Sequence, residues 1–137
     1  AFAYGPLDRI FGTRKGVVLL GSLASAGCLL ALWAAPAMPY WSAVALLSGA
    51  AMLGLSYPVL MAHGRSFFPP HLLGRGVTLL NMFSIGGVGV LQVASRQVYA
   101  ASPATPPEAA FGNLFLFFAL ALLAGCAIYA FSRDRVD

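Results

Sequence analysis

The sequence predicts an all-α integral membrane protein, a bundle of four transmembrane helices with both termini cytoplasmic. Three observations carry that expectation. Hydrophobic residues make up 60% of the 137 residues and charged residues only 9%, against about 25% charged in a soluble domain. The mean hydropathy is +0.83, so the composition supplies too few polar groups to cover a surface in water. The apolar residues fall in four long runs without period-two alternation, each about twice a strand's length.

The elements follow in order. Residues 1–15 form a cytoplasmic segment, "AFAYGPLDRIFGTRK", which holds Asp8, Arg9, Arg14 and Lys15 among only twelve charged residues in the chain. It has no initiator Met and no signal-peptide pattern, and is expected to be a cut or processed start. The first span is 16–35 and the second 41–62. The connection between them is too short for anything but an antiparallel hairpin. Trp33, Tyr40 and Trp41 flank it as an interfacial aromatic belt. The third span is 76–98, after a polar and basic connection, "HGRSFFPPHLLGRG". The fourth is 111–131, after a loop with Pro103, Pro106 and Pro107 that is expected to be extended and exposed. Residues 132–137 make a cytoplasmic tail. Each span reaches the length of about 20 residues needed to cross a ~30 Å hydrocarbon core.

The bases set the orientation. With four spans, Arg9, Arg14, Lys15, Arg65, Arg75, Arg133 and Arg135 share one face, and Arg96 alone lies on the other. The positive-inside rule makes the richer face cytoplasmic. These short clusters between apolar runs mark membrane edges, so the net charge of +4 implies lipid and not nucleic acid as the partner.

Inside the spans, Ser22, Ser25 and Gly27 in the first and Ala50 and Gly54 in the second are small residues suited to close helix contacts. Pro58 lacks an N–H and crowds the carbonyl of Gly54. It marks either a hinge or a static bend. In the third span Asn81 and Gln92 are eleven residues apart, three helical turns, so they share a face with Ser84 near it. Polar side chains at membrane depth face protein or water. This stripe therefore lines a solute path or makes interhelical hydrogen bonds, and Gly86, Gly87 and Gly89 loosen the helix between. The fourth span is Phe- and Leu-rich, with Asn113 its only polar residue, and reads as a peripheral, lipid-facing helix.

No enzyme is indicated. The acids Asp8, Glu108, Asp134 and Asp137 all lie outside the spans, and no catalytic triad, carboxylate pair or phosphate-binding glycine loop is present. His63 and His71 lack the company a metal site needs. Cys28 and Cys126 sit in apolar runs as packing residues. No cofactor or metal is implied.

The pattern Gly5-x-Leu7-Asp8-Arg9-x-x-Gly12-x-Arg14-Lys15 resembles the cytoplasmic loop motif of the major facilitator superfamily of bacterial transporters. It is one residue shorter between Gly and Asp than the family pattern, and one longer between Arg and the next Gly. "GRGVTLLNMFSIGGVGVLQ", after the basic "RSFFPP", is similar to the eleventh helix of that family. The Phe-rich last span ending in "SRDR" is similar to the twelfth. The resemblance takes in the whole chain, as the end of the eighth helix plus helices nine to twelve. It implies the C-terminal part of a secondary transporter of the bacterial inner membrane, moving a small solute by alternating access. Gly5, Asp8, Arg9, Gly12, Arg14 and Lys15 would form a cytoplasmic latch, with Asp8 reaching the start of the third span at residues 74–76. Asn81, Ser84 and Gln92 would face the solute. The implied partner is the N-terminal half of the transporter. The alternative is an accessory helical subunit of a larger membrane complex, respiratory or photosynthetic, derived from such a fold.

Overall fold

The computed structural model describes residues 14–54, 56–103 and 106–133. Among them every regular element is helical: α1 Arg14–Ala34, α2 Tyr40–Leu53, α3 Tyr57–Arg65, a 3-10 turn Pro70–Leu72, α4 Leu73–Ala100 and α5 Pro107–Ala130. Four of these stretches are long and apolar enough to cross a membrane, α2 and α3 together forming the second.

The helix boundaries follow from local chemistry. Pro36 and Pro39 confine the first connection. Pro39 stands at the N-cap of α2 with extended backbone, and its carbonyl accepts from Ser42 N and Ala43 N at 3.0 and 3.1 Å. Pro107 opens α5 behind Pro106, where a missing N–H leaves nothing unpaired. Glu108 lies in the first turn of α5, where the helix dipole favours an acid.

The second span is interrupted. Helix α2 ends at Leu53, and α3 restarts at Tyr57 with Pro58 in its first turn. The expected bend at Pro58 is thus a break one turn earlier. A proline acts on the carbonyl four residues back, which it cannot bond and against which its ring clashes. The break is held from the side. Ser25 Oγ on α1 donates to Ala50 O at 2.8 Å, the carbonyl that also accepts from Gly54 N at 3.0 Å. A Cβ on Gly54 would stand 3.2 Å from that oxygen and 3.7 Å from Ser25 Oγ.

Two glycines fix the next connection to α4. Gly76 is buried, and a Cβ there would come within 2.5 Å of the Phe68 ring. One on Gly64 would come within 2.8 Å of Leu80. The chain between α3 and α4 is thereby packed against the first two turns of α4.

The most extensive seam joins α1 to α5, with α2 next against α1. Its core is built of small side chains. Ala26 and Ala119 are 0% exposed, and Val17, Val18, Ala110 and Cys126 are buried. Gly112 lies against Trp33. The expectation of a lipid-facing last span holds for most of α5, of which 11% of the apolar window is buried, but one face of it makes the largest seam; α1 is central and α4 is the outlying helix. None of the apolar window of α4 is buried, against a third of that of α1. The reason is the spacing of Ala and Gly along α5, which lets its backbone approach α1 closely, the way helices associate in lipid.

Candidate functional site

At one end of the bundle, three chain segments meet around His63. This residue closes α3 and is 1% exposed. Its Nε2 lies 2.9 Å from the carbonyl of Arg133 and its Nδ1 is hydrogen-bonded to Tyr129 Oη. A carbonyl only accepts, so Nε2 donates to Arg133 O. Both imidazole nitrogens have a hydrogen-bond partner. Phe67 and Tyr129 meet the ring edge-on, with centroids at 5.2 and 5.5 Å. Beside this triad Lys15 Nζ donates to Ala130 O at 2.6 Å and Ser132 O at 2.8 Å. These are carbonyls at the C-terminal end of α5, where a cation is stabilised by the helix dipole. Lys15 and His63 thus tie α1 and α3 to the end of α5, and Lys15, His63, Arg65 and Arg133 gather at one end of the bundle.

The third-span stripe lies elsewhere. Asn81 and Gln92 are exposed on α4 and Ser84 is half-buried. Asn81 Oδ1 accepts from Tyr57 Oη of α3 at 2.8 Å. Ser84 Oγ donates to Leu80 O of its own helix at 2.9 Å. Gly86, Gly87 and Gly89 face open space, with nothing within 4 Å of an added Cβ. Around them Ile85 and Val90 are 74% and 69% exposed. At the far end Asn113 Nδ2 donates to Ser102 Oγ at 2.9 Å, joining α5 to the end of α4.

Of the motif residues, Gly5, Asp8, Arg9 and Gly12 lie outside the described residues, and of Arg14 only its place at the start of α1 is described. Pro58 lies in the first turn of α3, three residues beyond the break in the second span. The structure brings Lys15 to the His63 cluster and leaves Asn81, Ser84 and Gln92 on a separate face. His63 and Tyr129 went unrecognised in sequence because neither has a motif around it. The available signal was a titratable residue at the basic end of one span and a lone Tyr in the last turn of another.

Between the helices lies an open apolar groove of about 890 Å³, with Leu47 and Ile128 exposed at its rim. Its walls come from α1, α2, α3 and α5, with Leu91 of α4 at the side. No group of three or more metal-ligating side chains occurs among the described residues.

No protein-family model, known protein or solved structure matches the chain.

Proposed function

We propose that the chain is the C-terminal part of a secondary transporter of the major facilitator type in a bacterial cytoplasmic membrane, moving a small solute by alternating access. The observation that carries this reading is the outlying position of α4. It is long enough to span a bilayer at 28 residues, about 42 Å against a ~30 Å core. Its apolar window is wholly unburied, and Asn81 and Gln92 stand exposed on it. Polar amides at that depth require protein or water beside them, and apart from the Tyr57 bond to Asn81 the other three spans do not provide it among the described residues. A second transporter half, closing over α4 around a solute path, does.

The latch has a place to act. The first turn of α4 carries no acid, Leu72 provides no side-chain cap, and open space lies beside Gly74. Asp8 reaching residues 74–76 would supply the missing negative charge at a helix N-terminus. Both ends of the chain are then cytoplasmic, with Lys15, Arg65 and Arg133 on that side.

Two experiments test the proposal. The native protein should have an intact mass about three times the 14.3 kDa of these four spans if twelve helices are present. A mass near 14.3 kDa sinks the transporter reading. Asn81→Leu and Gln92→Leu should abolish uptake in proteoliposomes while the variants remain folded. Release of the variants from a larger complex, with no uptake to lose, would instead identify an accessory subunit whose interface is α4. Orientation is tested by a cysteine at position 105, which should react with a membrane-impermeant reagent from outside the cell.

A further inference from the structure

A membrane edge needs its bases on one side of the bilayer, and it does not need them drawn together. At the Lys15 end of the bundle they are. Residues 1–15, 63–75 and 132–137 hold seven Lys and Arg against three Asp, so an excess of positive charge remains even when every acid there is paired. Residues 96–110, at the other end of α4 and the start of α5, hold one Arg and one Glu and balance.

Tertiary contacts bring three arginines of that end to one place. The carbonyl of Arg133 accepts from His63 Nε2 at 2.9 Å, and Arg65 follows two residues later at the end of α3. Phe68 N donates to Arg65 O at 3.1 Å. The Phe68 ring lies against Gly76, next to Arg75 in the first turn of α4. Arg65, Arg75 and Arg133 are exposed, and no ion pair to any of the three occurs among the described residues. Lys15 differs, since Ala130 O and Ser132 O take up its ammonium. An Asp8 carboxylate at residues 74–76 would answer Arg75 and leave Arg65 and Arg133.

The surroundings are apolar as well as cationic. Phe67, Leu72 and Phe131 are 43%, 38% and 90% exposed, each within three residues of one of these arginines. Aromatic and aliphatic side chains beside cations suit the boundary between lipid headgroups and acyl chains. The guanidinium fork matches two oxygens of a phosphate at once. A free phosphate or an acidic peptide answers the charge and leaves the phenyl rings in water, whereas a phospholipid answers both. We propose that Arg65 and Arg133, with Arg75 beside them, bind the phosphate of a phospholipid whose headgroup is net anionic, with its acyl chain against Phe67 and Phe131. A zwitterionic headgroup brings a cation of its own, which the arginines repel, so the site selects by headgroup charge. It rests on the membrane part of the preceding reading and not on transport.

The test is photolabelling of the purified native protein in mixed micelles. The probes are phosphatidylglycerol and phosphatidylcholine, each with a diazirine at the headgroup end of one acyl chain. Phosphatidylglycerol should label peptides covering residues 65–75 and 131–133, saturably and about ten-fold more strongly than phosphatidylcholine. Arg65→Gln and Arg133→Gln should each weaken saturable labelling about five-fold, the effect of one base near an acidic headgroup. Arg75→Gln stands in for either if circular dichroism shows it unfolded. Arg96→Gln, near the far end of α4, should leave labelling unchanged. The proposal is overturned if the two lipids label equally, or if labelling is unchanged in the folded Arg65→Gln and Arg133→Gln variants. An equal loss in Arg96→Gln overturns it too, because net charge alone is then at work. Displacement of the probe by an excess of inorganic phosphate also overturns it, because the ligand is then a free anion. Uptake does not enter these readouts, so this proposal and the transporter reading fail separately.

Discussion

Helices α1 and α4 are both long, apolar and glycine-bearing, yet they hold opposite positions. Gly21 and the serines of α1 are turned inward, while Gly27, expected at a close helix contact, is exposed and meets nothing within 4 Å. Gly21, Ser22 and Ser25 are buried, and Ser25 bonds the broken end of α2. In the middle of α4 the glycines are turned outward, and Gly86, Gly87 and Gly89 meet nothing, unlike Gly76 at its start. Small residues permit close approach, but they do not say to what. On α1 the approach is complete within this chain. On α4 it is prepared and unfilled, the condition expected of a surface that meets another protein body.

The end of the bundle repeats the lesson in polar groups. His63 and Lys15 bond the last residue of α5 and the chain just beyond it, at Ala130, Ser132 and Arg133. Asn81 on α4 has one exposed bond to Tyr57, and no bond from Gln92 to another helix is seen among the described residues. Substitutions in the packed region should therefore cost stability. Substitutions on α4 should spare the fold and cost function.

The largest stability effect is expected from His63→Ala. It leaves the Tyr129 hydroxyl and the Arg133 carbonyl unpaired and empties a buried ring site, for a loss of about 3 kcal/mol measured by unfolding in mixed micelles. A loss below that of an exposed α4 variant would break the comparison. Ala119→Leu overfills the α1–α5 seam and should cost about 2 kcal/mol by the same titration. Gly76→Ala presses a methyl into the Phe68 ring and should cost about 1–2 kcal/mol. Gly87→Ala, with open space around it, should be neutral or stabilising by about 0.5 kcal/mol through helix propensity. That sign difference between two glycines of one helix is the sharpest check. Tyr57→Phe, which removes one exposed bond to Asn81, should cost about 0.5 kcal/mol or less. Gly87→Leu should leave thermal stability unchanged and abolish association with the partner body, read by co-purification. Unimpaired association would move the interface off this face.

Much of the architecture was legible in the residues. Four apolar runs and the short or basic connections between them anticipated four long apolar helices. The contacts of Lys15 with Ala130 and Ser132 then bring the first and last helices together at one end. The small-residue contacts at Ser25, Ala50 and Gly54 were also readable. The disturbance ahead of Pro58 was readable too, because a proline crowds the carbonyl four positions earlier, that of Gly54, where α2 gives way to α3.

The sequence by itself determined which segments are helices and how long they run. Transfer of an apolar run from water depends on its own residues, and backbone hydrogen bonds inside a helix are local. Only the tertiary structure decided that α1 is central and α4 outlying, and that His63 is sealed between Tyr129 and Arg133. Hydropathy does not distinguish a face against lipid from a face against another helix, since a lipid tail is as apolar as a leucine. That choice rests on the fit of small and large side chains between segments far apart in the chain, and it exists only once they are packed.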